Sequence, residues 1–189
     1  TIINSGDLVV EDGTIEMLCA LNTPGNVIHM YSAIQQSGAT GTTTINGGTI
    51  STPTYRSIRI NGGALEMNGG VMDGQVWLQP NQGNVTITVT GGEYSPSPID
   101  GSSIFMTNQG ENYTVSSAKI TGGTFATKIG STNPTLEGVA GCVTGGIFTE
   151  SAKNNTNANL IATGAVFKKN GDGSYTLFVE FEQVSENVY

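Results

Sequence analysis

The chain has 189 residues, enough for one domain with a continuous core, and its 7 Lys and Arg against 15 Asp and Glu give a formal net charge of −8. The only adjacent cations are Lys168 and Lys169, so a nucleic-acid phosphate backbone is excluded as a partner, and no apolar run approaches the roughly 20 residues of a membrane span. Only 12% of residues are charged while 27 are glycine, against roughly 25% charged and about 7% Gly in an ordinary soluble domain.

Polarity is carried by Thr, Ser, Asn and Gln, which suit pleated surfaces and turns and are poor in helix interiors. An all-β chain with many bends is expected, and no stretch has helical periodicity. No secretion signal or lipid-anchor motif stands in the segment, and residue 1 reads as a processing boundary.

In chain order, the first unit is Ile3-Asn-Ser-Gly-Asp-Leu-Val-Val-Glu-Asp-Gly-Thr-Ile15, which aligns with Ile60-Asn-Gly-Gly-Ala-Leu-Glu-Met-Asn-Gly-Gly-Val-Met72. Within it, Val10-Glu-Asp-Gly-Thr-Ile15 is a degenerate form of a motif that is complete in Ile45-Asn-Gly-Gly-Thr-Ile50, Met67-Asn-Gly-Gly-Val-Met72, Val89-Thr-Gly-Gly-Glu-Tyr94, Ile120-Thr-Gly-Gly-Thr-Phe125 and Val143-Thr-Gly-Gly-Ile-Phe148. A last degenerate copy is Ala162-Thr-Gly-Ala-Val-Phe167. Gly48, Gly70 and Gly92 are each 22 residues apart, so one interval is one coil. A coil this short cannot bury its own apolar face and must stack on its neighbours.

Stacking aligns Val10, Ile45, Met67, Val89, Ile120 and Val143 in one interior row, and Ile15, Ile50, Met72, Tyr94, Phe125, Phe148 and Phe167 in another. Gly-Gly between the rows permits a sharp bend. Asn46, Asn68, Thr90, Thr121 and Thr144, just before the glycines, are expected to hydrogen-bond along the stack. An outward row of Thr44, Glu66, Thr88, Lys119 and Cys142 is too irregular for an ice-binding array. Strand alternation is clear in Asn84-Val-Thr-Ile-Thr-Val-Thr90. At the end, Val166 to Val179 places Asn170-Gly-Asp-Gly173 between two strand-like runs, a hairpin that would close the last coil. The expected organisation is a right-handed parallel β-helix of about six to eight coils over 1–165, with the last coil, hairpin cap and tail over 166–189.

These repeats resemble the Gly-Gly-Thr-Phe β-helical surface proteins of anaerobic, often gut-dwelling, Gram-positive bacteria, whose architecture is like that of pectate lyases. The likeness runs from about Ile3 to Val179 and includes the tail Phe167-Lys-Lys-Asn-Gly-Asp-Gly-Ser-Tyr-Thr176. It implies export to the cell surface and a long modular parent, with carbohydrate binding in some relatives.

Chemistry is sparse. Glu16 and Asp73 share a repeat position, but Ser51 stands between them, so the clustered carboxylates of a polysaccharide lyase or hydrolase are not formed. His29 is the single histidine, too few for a multi-histidine metal site. Cys19 and Cys142 are too far apart in sequence for a metal or redox pair by spacing and read as packed thiols. No cofactor is expected. The outward position seven after the second glycine holds Tyr55 and then Trp77, with Arg59 nearby, and an exposed aromatic pair with a polar donor can form a sugar platform. The leading expectation is a non-enzymatic stalk or adhesin-like module that contacts a glycan or host surface component. A dedicated carbohydrate-binding β-helix is the alternative, and a polysaccharide lyase or hydrolase the second.

Overall fold

The computed structural model describes residues 1–17, 32–95, 101–107 and 112–180, and the side chains of residues 53–55 lie outside that description, as do Cys19 and His29. The protein is all-β, with parallel strands in two sheets. The strands fall into three stacked rows. The first holds β1 (Ile2–Asn4), β4 (Ser32–Gln36), the later part of β6 (Thr49–Ile60), the later part of β8 (Val71–Leu78), β11 (Ser102–Met106) and β14 (Lys128–Ser131). The second holds β2 (Leu8–Val10), β5 (Thr42–Ile45), β7 (Gly63–Met67), β9 (Val85–Val89) and β12 (Val115–Ile120). The third holds β3 (Thr14–Glu16), the early parts of β6 and β8, β10 (Glu93–Tyr94), β13 (Thr124–Phe125) and β15 (Gly146–Phe148).

Period-two alternation sends every second residue of each row inward, where equivalent positions meet. Val10, Ile45, Met67, Val89, Ile120 and Val143 lie side by side as the repeat spacing requires, and Ile161 follows Val143. Ile15, Ile50, Met72, Tyr94, Phe125 and Phe148 form the second interior row. The first strand row adds a third, Ile34, Ile58, Val76, Ile104 and Ile129, all fully buried.

The row beside the glycines is hydrogen-bonded along the stack. Thr90 donates to Asn68 Oδ1 at 3.0 Å, Asn68 Nδ2 to Asn46 Oδ1 at 2.9 Å, and Asn46 Nδ2 to the Glu11 carboxylate at 3.1 Å. The chain of donors runs one way and ends on a charge, an arrangement in which successive bonds polarise one another. Thr121 and Thr144 leave this pattern and donate to the carbonyls of Val89 and Ile120.

The end of the chain departs from expectation. A short helix, α1 (Glu150–Asn155), follows β15; the Thr149 side chain caps it by accepting from Ala152 N at 3.1 Å, and Glu150 and Lys153 suit the two ends of its dipole. Six residues are too few to show a helical period. The helix packs on β14, buries Ala152, and offers the Thr156 hydroxyl to the Ile129 N–H at 3.1 Å.

The hairpin β16 (Ala165–Lys169) and β17 (Tyr175–Val179) is antiparallel, and β17 rather than β16 pairs with β15. Phe148 therefore faces Tyr175, and Phe167 faces Leu177 instead of extending the parallel row. Phe167 still reaches Phe148 edge-on, with centroids 5.4 Å apart. Cys142, expected in an outward row, is buried, as the reading of it as a packed thiol implied; burial pushes its thiol up to about 12. A thiol so placed stays protonated and inert.

Candidate functional site

The sugar platform expected at Tyr55 and Trp77 is not assembled as the spacing implied. Between Ser51 and Arg56, β6 takes five steps where β8 takes two from Asp73 to Gln75, and a further residue is inserted before Ile58. The register consequently sets Arg59, not Tyr55, beside Trp77, with Phe105 on its other side. Tyr55 falls in the bulged stretch of β6, and its side chain is outside the described residues.

Trp77 does alternate outward between the buried Val76 and Leu78, yet only 7% of its surface is exposed. The Arg56 guanidinium lies over the indole at 3.5 Å and that of Arg59 at 5.2 Å. Arg59 Nε and Nη2 both donate to Gln79 Oε1, at 3.0 and 2.7 Å. Burial lowers the Arg59 guanidinium from its ordinary value, although an arginine stays charged at any physiological pH. The indole face that a pyranose would use is already taken by a cation, so Trp77, Arg56 and Arg59 form a cation–π cluster closing that wall. Trp77 fluorescence should accordingly be blue-shifted and resist acrylamide; strong quenching with red emission would show an open indole.

Glu16, Ser51 and Asp73 are neighbours in one outward row, where Ser51 donates to Asp73 at 3.1 Å. Among the described residues no three His, Cys, Asp or Glu converge as metal ligands, and no helix is long and apolar enough to cross a membrane.

A different feature is concave. The stacked Gly-Gly corners leave a groove of about 1250 Å³ that runs along the stack from Asp12 past Gly70, Gly92 and Gly123 to Gly146. One side carries the outward residues Thr49, Val71, Glu93, Thr124 and Ile147, and Leu177, Phe178 and Val179 of β17 wall its end. It exists because nine glycines line it between two rows that keep their side chains. Sequence reasoning treated the glycines as corners and did not ask what their absence of side chains leaves open; the signal was the glycine pair recurring in register beside outward threonines.

No family model, curated protein or solved structure matches the chain.

Proposed function

We propose that this chain is a right-handed parallel β-helix of about six to eight coils, closed by its C-terminal hairpin, that serves as a stiff, non-enzymatic module of an extracellular bacterial surface protein. The observation that carries the reading is the unbroken interior row Ile15, Ile50, Met72, Tyr94, Phe125 and Phe148, held in one register from strand to strand. Such a row ties each repeat only to its neighbours, so stiffness accumulates along one axis. At the far end, α1 and the hairpin take up backbone groups that an open edge would offer for aggregation. The resemblance of the repeats to Gly-Gly-Thr-Phe surface proteins supports the export and the stalk-like role.

Circular dichroism should show β structure with almost no helix. Pulled end to end in a force spectrometer, the folded chain should resist and then lengthen in steps of about one coil, because stacked repeats unfold as nearest-neighbour units. Extension without resistance would remove the mechanical role.

A further inference from the structure

We propose that the groove along the Gly-Gly corners binds an extended, uncharged polysaccharide. This goes beyond the mechanical reading, and it puts the glycan on a different wall from Tyr55, Arg59 and Trp77.

The groove's chemistry narrows its occupant. No Lys or Arg lines it, while Asp12 and Glu93 do, so nucleic acids and polymers of acidic sugars are repelled. It runs across the strands rather than along them, so an extended peptide in it could not join a β-ladder, the usual source of affinity for such peptides. A neutral polysaccharide meets neither obstacle. The floor repeats at the strand spacing of about 4.8 Å, a length comparable to one pyranose ring, so successive sugars would meet equivalent surroundings in successive repeats. Val71, Ile147 and Phe178 offer apolar surface to ring faces, and the exposed Thr124 stands beside them with a hydroxyl.

A second observation points the same way. Gly48, Gly70, Gly92 and Gly123 are half-buried on the groove floor, and among the described residues their N–H groups donate to no acceptor. Peptide donors left so must be satisfied by solvent or a ligand. Here they recur at a regular interval, as a row of donors that sugar oxygens can accept from.

The test uses the intact chain labelled with ¹⁵N-glycine and ¹⁵N-tryptophan and titrated with oligosaccharides of mixed-linkage glucan, xyloglucan and galactomannan, with oligogalacturonate as the anionic control. At least one neutral probe should shift the amide signals of Gly70, Gly92 and Gly123, while the indole N–H of Trp77 stays in place. Thr124→Arg lays a long side chain across the groove without touching the core and should weaken that probe about tenfold; Ile147→Lys, at an exposed site, should do the same if the first variant folds poorly. The proposal is overturned if no neutral probe moves these amides, if oligogalacturonate moves them more, or if the indole signal moves instead. None of those results bears on resistance to pulling, so this inference and the mechanical reading fail separately.

Discussion

Replacing Phe125 by Ala is expected to destabilise the protein by about 3–5 kcal/mol, the upper part of the range for large-to-small changes in a core. Phe125 is fully buried, stacked on Tyr94 with centroids 4.9 Å apart and planes 15° from parallel, and tilted against Phe148 at 5.0 Å. Both neighbours are held by strands whose separation is set by backbone hydrogen bonds, so the hole cannot collapse by sliding the rings together. The aromatic contacts add a coupling of about 0.5–1.5 kcal/mol per pair, which a double-mutant cycle with Phe148→Ala should recover. Phe167→Ala is the internal comparison: its ring is only half-buried and reaches the stack edge-on, so its loss should be clearly smaller. Chemical denaturation of the three variants decides the matter. A loss below about 1 kcal/mol for Phe125→Ala, typical of a surface position, would mean that the row does not carry the core.

How much of this was legible in sequence depends on where the repeat kept strict length. The two rows flanking Gly-Gly could be read residue by residue, because the glycine pair and its apolar neighbours recur as one motif, 22 residues apart from Gly48 to Gly92 and with insertions beyond. The first strand row was not, because its bend is made by bulges of varying length. The extra residues after Ser51 slide β6 against β8 and exchange Tyr55 for Arg59 beside Trp77. At those bulges Ser57 and Ser103 are fully buried and give their hydroxyls to carbonyls of Gly74, Gln75, Tyr94 and Thr127. A buried serine marking a bend has no period to betray it. The hairpin was visible from Asn170 to Gly173, but which of its strands meets β15 depends on the tertiary path after α1. Of the candidate site, sequence supplied the outward direction of Trp77 and missed its cover, since the cation on its face comes from the neighbouring strand.

The glycine pair makes two different demands, and substituting each partner should separate them. Gly123 has φ of +103°, a left-handed conformation that costs a residue with a Cβ roughly 1–2 kcal/mol, and an added methyl would press on Phe125 and Tyr94 at 3.0 Å. Gly122 has no such backbone requirement. An added Cβ there would overlap the carbonyl oxygen of Thr90, and the same contact recurs in the stack as Gly69 on Asn46, Gly91 on Asn68 and Gly145 on Thr121. The first glycine is thus needed for close approach between repeats, and the obstacle is backbone, which cannot rotate away as a side chain would. Gly122→Ala should therefore reach or exceed about 3 kcal/mol, the top of the usual range for overpacking. Gly171, in the hairpin turn with open space around it and no positive φ, should tolerate Ala within about 0.5 kcal/mol. If Gly122→Ala melts with Gly171→Ala while Gly123→Ala alone is damaged, the pair serves only to turn the chain, and the tight stacking of corners that forms the groove floor is not what selects the first glycine.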